Sequence, residues 1–207
     1  MPHASLVTWD VEARLWQEGH TLIAGIDEAG RGALAGPVVA AAVIFPIGVS
    51  LSYIDDSKRV SPALRQTLFQ EICQKACCIG IGYSDPFTID HINIRQGTLK
   101  AMRDAISQLR CTPHCLLIDG CDRIDSAVEQ RTFVRGDQLV GSIAAASIAA
   151  KVTRDRLMER LDRDLPGYGF ARHKGYGTGA HLRAIQLLGA SSAHRRTFRG
   201  VTGTALL

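Results

Sequence analysis

The stretch Leu22-Ile23-Ala24-Gly25-Ile26-Asp27-Glu28-Ala29-Gly30-Arg31-Gly32 decides how this chain is read. Its first part, LIAGI at 22–26, is an apolar run of strand length. The run stops at two adjacent acids and then at an arginine set between glycines. Charge at the end of a buried strand is costly to desolvate unless it has a partner. The next apolar run, PVVAAAVIF at 37–45, is β-branched at several positions and reads as a second strand. The gap between the two is short and glycine-rich, which predicts antiparallel pairing through an elaborate turn.

Working outward, Ser61-Pro62 is a helix start, with serine as N-cap and proline at the first helical position. Leu64, Leu68, Ile72 and Ala76 then fall on one face. CIGIGY at 78–83 reads as a third strand, and Asp90 to Leu109 carry a helical stripe of Leu99, Met102, Ile106 and Leu109. Cys115 to Ile118 form a fourth strand that ends at Asp119-Gly120. Asp137 stands before a long helix whose first part, GSIAAASIAAK, is small enough for other backbone to approach closely. Leu157, Leu161 and Leu165 continue that helix and Pro166-Gly167 stops it. A basic glycine-rich loop, HKGYGTG, leads into a helix from Thr178 to Leu188 ended by Gly189. Strands alternating with helices after an opening hairpin predict an α/β domain with a mixed central sheet flanked by helices. One domain is expected over 1–207, with a core at about 20–166 and a basic helical segment at about 167–207.

Bulk properties narrow the class. The chain has 207 residues, a net charge of +4, and 46% hydrophobic and 21% charged residues, as in an ordinary globular protein. No apolar run approaches the roughly 20 residues that span a bilayer. The N-terminal MPHASLVTWDVEARL lacks the apolar core of a secretory signal, so a cytoplasmic location is expected. The six cysteines form no compact disulfide framework and no regular zinc spacing; they read as reduced, mostly buried thiols. From Arg172 to Arg199 there are six Arg or Lys and three His but no acid, the pattern of a phosphate-contacting surface or of a solvated basic tail.

The chemistry lies in the acids. Asp27 and Glu28 follow one strand, Asp119 follows another, and Asp137 precedes the long helix. Open α/β sheets bind ligands at the carboxyl ends of their strands, so these acids can converge there. Converging carboxylates raise one another's pKa unless cations intervene, and magnesium or manganese suits an all-oxygen set. Two such ions can drive phosphodiester cleavage. Each acid has a plainer reading: Asp137 as a helix N-cap, Asp119-Gly120 as a turn, Asp27-Glu28 as a solvated strand end. Neighbours on a regular strand face opposite ways, so Asp27 and Glu28 are expected to share a site only where the strand ends or distorts between them.

These residues resemble a family. Residues 25–32, GIDEAGRG, and 34–41, LAGPVVAA, closely resemble the opening signature of bacterial ribonuclease HII. The resemblance continues through Asp56-Ser57-Lys58, Asn93-Ile94, Leu117-Ile118-Asp119-Gly120 and Gly136-Asp137. It runs on through SIAAASI at 142–148, AKVTRD at 150–155 and HKGYGT at 173–178, and closes at His194-Arg195-Arg196 with Phe198. Departures are small: Ala33 stands where the family often has proline, and Ser191-Ser192-Ala193 replaces a stretch that commonly contains one. The related HIII type lacks the Gly-Arg-Gly seen here.

The resemblance implies a ribonuclease H-like fold with a helical C-terminal extension. It implies an endonuclease that hydrolyses the RNA strand of RNA–DNA hybrids and cuts 5′ of single ribonucleotides in duplex DNA, leaving 3′-hydroxyl and 5′-phosphate ends. It assigns the catalytic, metal-holding acids to Asp27, Glu28, Asp119 and Asp137, with Mn²⁺ or Mg²⁺ as cofactor. Gly30, Arg31, Gly32 and Tyr176 are the residues expected to read the ribose 2′-hydroxyl, the group that separates RNA from DNA. Lys58 is a further candidate for a backbone phosphate contact. The expected partners are RNA–DNA hybrids and ribonucleotide-containing DNA, with no membrane, and the expected state is a monomer.

Overall fold

Strand β1 (Ile23–Ala29) lies at the centre of a five-stranded sheet because both of its edges are paired. On one side it pairs antiparallel with β2 (Val38–Ile44), which pairs antiparallel with β3 (Cys78–Ser84). On the other side it pairs parallel with β4 (Cys115–Asp119), which pairs parallel with β5 (Glu129–Phe133). The order is β3-β2-β1-β4-β5. The computed structural model describes residues 7–51 and 61–201. Among these residues no helix is long and apolar enough to cross a membrane.

Helices cover both faces. α1 (Asp10–Gln17) precedes the sheet, and α2 (Pro62–Lys75) opens with the expected Ser61 cap, whose hydroxyl accepts from the Leu64 N–H at 3.2 Å. α3 (Pro86–Ser107) starts earlier than its stripe suggested and breaks at Asn93, where φ is 66°. Asn93 Oδ1 accepts from the Gln96 N–H at 3.1 Å, so the side chain caps the second half of the helix. α3 covers the face lined by Ile26, Ala40 and Ile118. α4 (Gly141–Asp164) covers the other face, where its alanines meet Ala41 and Val43. The short α5 (Phe170–His173) and α6 (Gly179–Leu188) form the C-terminal extension.

Gly25 explains why α4 is built from small residues. A Cβ on Gly25 would stand 2.1 Å from the carbonyl carbon of Ser142. Helix backbone therefore rests directly on β1, and the next residues of both elements on that face are brought together. The N-terminus of α4 is capped from α1: buried Glu12 accepts from the Ser142 N–H at 2.7 Å, a negative group at the positive end of the helix.

Three sequence expectations need correction. β5, EQRTF, has no apolar run because it is an edge strand, and it went unread. Asp137 does not cap α4, which begins at Gly141; it lies in a separate 3-10 turn, Gly136–Gln138. The cysteines are free as expected, but Cys73, Cys77 and Cys121 are exposed, so the thiols are not mostly buried.

Candidate active site

Parallel strands end at the same edge of a sheet. The carboxyl ends of β1, β4 and β5 therefore lie side by side, and each leads to one of the acids. The β1–β4 register pairs Ile26 with Ile118, so Asp27 and Asp119 are the next residues on neighbouring strands. Residues in register share a face. Ile26 and Ile118 belong to the α3 face, which puts Asp27 and Asp119 on the α4 face. β5 pairs Phe133 with Asp119 and leads through Arg135, in the left-handed region at φ 58°, into the turn that holds Asp137. Asp119 Oδ1 fixes that turn by accepting from the Gly136 N–H at 2.6 Å and the Asp137 N–H at 3.4 Å.

Asp27 is 4% exposed and Asp137 is 2% exposed. The Asp27 carboxylate accepts from the Glu28 N–H at 2.7 Å and from the Ser147 hydroxyl. Its pKa lies well above the carboxylate range because burial disfavours the charge and the Glu28 and Asp119 carboxylates repel it. A hard cation relieves that arrangement, and the donor set is carboxylate oxygen, so the residues present fit Mg²⁺ or Mn²⁺. Among the described residues no three ligating groups already surround one point. The carboxylates are neighbours along one edge and not a closed cage.

The expected distortion between Asp27 and Glu28 is absent. β1 stays paired with β2 through both residues, Asp27 to Ala41 and Glu28 to Ala40, and on to Ala29. What happens instead is an overrun. The parallel β1–β4 ladder stops at Ile26, so the last three residues of β1 project past it along β2. Glu28 stands on this projecting end, part-exposed, with Arg31 at 3.7 Å.

A cavity of about 210 Å³ opens beside Glu28, and its wall includes Gly30, Arg31, Gly32 and Tyr176. The structure thus brings together the four residues assigned to reading the ribose. Ser147 and Lys151 of α4 also line it. Neither was singled out from sequence; their signal is polar residues four apart in an otherwise small-residue helix. Lys151 pairs with Asp155 at 2.6 Å, and burial pulls its pKa down. A larger cleft of about 570 Å³, lined by Pro37, Tyr83 and Leu157 among others, contains none of the four acids. Lys58 lies outside the described residues.

The loop after β1 is held by two arginines that are 0% exposed. Arg195 donates to the carbonyls of Gly30 (2.8 Å), Arg31 (2.8 Å) and Gly36 (3.1 and 2.9 Å). Arg154 donates to those of Pro37 (2.9 Å), Lys174 (2.9 Å) and Ala35 (3.1 Å). Gly30 has φ +91°, and a Cβ there would meet Arg154 Nε at 1.8 Å. The arginines draw carbonyls inward and join the Gly30–Gly32 loop to the segment before Tyr176. The C-terminal basic run is only partly a surface: Arg195, His181 and His194 are internal, whereas Arg172, Arg183, Arg196 and Arg199 are exposed.

Comparison with known proteins identifies the family and the fold. The family model described as Ribonuclease HII matches residues 24–201. Ribonuclease HII of Geobacter sulfurreducens is 56% identical over 193 residues, covering 93% of this chain and 89% of that protein. The enzyme of Geotalea uraniireducens is 54% identical over 192 residues, with the same coverage. Among solved structures, ribonuclease H2 from Pyrococcus horikoshii superposes with a TM-score of 0.72 at 24% identity, covering 87% of this chain and 95% of that one. RNase HII from Archaeoglobus fulgidus, solved in complex with PCNA, gives 0.71 at 26%, covering 86% and 95%. Sheet order, acidic edge and sequence agree: the chain belongs to the ribonuclease HII family, the metal-dependent endoribonucleases of RNA–DNA hybrids.

Proposed function

We propose that this enzyme cuts 5′ of single ribonucleotides embedded in duplex DNA as well as within the RNA strand of hybrids, leaving 3′-hydroxyl and 5′-phosphate ends. One observation carries the reading. The buried, charge-crowded Asp27 lies beside Glu28 and Asp119, next to the cavity walled by Gly30, Arg31, Gly32 and Tyr176. Metal-binding groups and ribose-facing groups thus share one edge of the sheet.

In this reading Asp27, Glu28, Asp119 and Asp137 are the catalytic acids and hold Mg²⁺ or Mn²⁺. A bound divalent ion supplies Lewis acidity at the scissile phosphate and lowers the pKa of the attacking water. The protein's own part is positioning. Ser147 orients Asp27, and Asp119 locks the turn that carries Asp137. Arg195 and Arg154 occupy the carbonyls around Gly30–Gly32, so the loop presents its outward groups to the ribose. The half-exposed Tyr176 offers a ring face and a hydroxyl at the cavity wall. The exposed arginines of the C-terminal segment, with Lys58, supply phosphate contacts.

In the same reading residues 30–37 and the C-terminal segment belong to one domain, coupled through the buried arginines, and the enzyme works as a monomer in the cytoplasm. The test is a DNA duplex carrying one ribonucleotide, incubated with Mg²⁺ or Mn²⁺. A single cut on the 5′ side, abolished by chelator and absent from an all-DNA duplex, supports the reading. Binding without cutting points to a non-catalytic module, and equal cutting of all-DNA duplex to a general nuclease.

A further inference from the structure

Three imidazoles lie beneath the Tyr176 loop, and the proposed mechanism uses none of them. His173 ends α5, His181 lies in the first turn of α6, and His194 follows that helix. His181 and His194 are 0% and 2% exposed. The rings of His173 and His181 stack at 4.4 Å, and Phe170 meets His181 edge-on at 5.5 Å.

Their partners determine where the protons sit. The Ser191 N–H donates to His194 Nδ1 at 3.0 Å, so that nitrogen carries no proton. A neutral His194 then bears its proton on Nε2, which stands 3.0 Å from His181 Nε2. His181 Nε2 accepts, so its proton is on Nδ1, which donates to the Tyr176 carbonyl at 3.0 Å. The chain runs one way, from Ser191 through His194 and His181 to Tyr176. On the other side, the Tyr176 N–H donates to the His173 carbonyl at 3.0 Å. His173 is itself fixed: its Nδ1 accepts from the Gly175 N–H at 3.2 Å and its Nε2 donates to the Tyr168 carbonyl at 2.8 Å.

We propose that His181 and His194 are positioning residues whose one-way hydrogen-bond chain sets the Tyr176 backbone, and with it the ring, against the ribose. The proposal rests on the reading of Tyr176 as a ribose contact. Tyr176, Gly177, Thr178 and Gly179 are exposed, and Lys174 and Gly175 are both at positive φ; the Tyr176 ring has the Arg154 guanidinium at 5.5 Å, and the Tyr176 carbonyl also accepts from the Thr178 N–H at 2.8 Å. With so much of the loop exposed, hydrogen bonds to its peptide groups do much to hold it. Two apolar side chains could fill the same volume without buried polar groups to satisfy; a connected polar chain adds one defined direction. The ordering requires neutral imidazoles, and burial favours these, holding His194 down near 4 and His181 below its ordinary value. A proton on either would set two N–H groups facing each other.

The test compares His181→Leu, His181→Asn, Tyr176→Ala and the double variant His181→Leu/Tyr176→Ala on a duplex with one ribonucleotide and on a continuous RNA–DNA hybrid. Losing one hydrogen bond at the loop is expected to lower kcat/KM for the single ribonucleotide about tenfold in His181→Leu. The amide of His181→Asn can donate in place of Nδ1 and is expected to recover most of that loss. In the Tyr176→Ala background, His181→Leu is expected to cost less than about twofold more, because contacts that act through one another do not add. Full additivity without rescue by asparagine would overturn the proposal and leave the tyrosine reading intact. Wild-type activity of Tyr176→Ala would overturn the tyrosine reading and this proposal together. If His181→Leu does not fold, His194→Leu breaks the next link, and the same non-additivity is expected.

Discussion

Replacing Arg195 with methionine probes how the loop after β1 is held. The guanidinium is 0% exposed and makes four hydrogen bonds to three carbonyls. The Gly30 carbonyl keeps a second donor, the Ala33 N–H at 3.2 Å. Those of Arg31 and Gly36 lose the donors that Arg195 supplied, and each buried carbonyl left without a partner costs about 1–3 kcal/mol. Removing the buried cation works the other way, since burial pulls its pKa down to about 9. The net is a destabilisation of about 2–3 kcal/mol, which for a domain of this size lowers Tm by roughly 5–10 °C. The displaced loop is expected to reduce kcat/KM on a single-ribonucleotide duplex by about a hundredfold. Arg195→Lys keeps the charge but cannot reach three carbonyls at once, so it is expected to behave similarly. Thermal unfolding and single-turnover cleavage measure both effects. A lysine variant with wild-type Tm and cleavage would refute the reasoning, because charge alone would then suffice.

Gly30→Ala places a Cβ where φ is +91° and Arg154 Nε would be 1.8 Å away, so urea unfolding should show a loss of at least about 2 kcal/mol. Asp27→Asn removes a buried charge that its neighbours repel; in chelator its Tm should equal or exceed the wild type's, while cleavage disappears. Added Mn²⁺ should raise the Tm of the wild type and not of Asp27→Asn. His194, with an ordinary value of 6.5 and a folded value near 4, binds fewer protons folded than unfolded between those limits. Stability should therefore fall as pH drops from about 6.5 to about 4, and His194→Gln should reduce that slope by up to about 1.4 kcal/mol per pH unit. His181 adds to the slope in the same sense, whereas buried Glu12, with its raised pKa, opposes it.

Legibility from sequence followed local pattern. β1, β2 and their antiparallel pairing could be read because the apolar runs and the glycine-rich gap are contiguous. The small residues of GSIAAASIAAK announced a close approach, and Gly25 against Ser142 is that approach. β5 could not be read, because an edge strand without a buried face has no alternation or apolar run to display. Nor could the overrun of β1 past β4, since one strand's ladders depend on where two others end. The charge at 195 misled most. A basic run looks like a surface, and only tertiary structure shows that Arg195 spends its donors on backbone carbonyls. Ser147 and Lys151 entered the candidate site in the same way, by the face of α4 they occupy.

The account stands on four acids at one edge of the sheet acting together on a ribonucleotide. Asp119 lies between the other strands' acids, in register beside β1 and bonded to the turn of Asp137. The most direct test is cleavage of a DNA duplex bearing one ribonucleotide, in Mn²⁺ or Mg²⁺, by the wild type and by Asp119→Asn at matched folding and duplex affinity. The account predicts a metal-dependent cut on the 5′ side of the ribonucleotide by the wild type and none by Asp119→Asn. Near-wild-type cleavage by Asp119→Asn would contradict it.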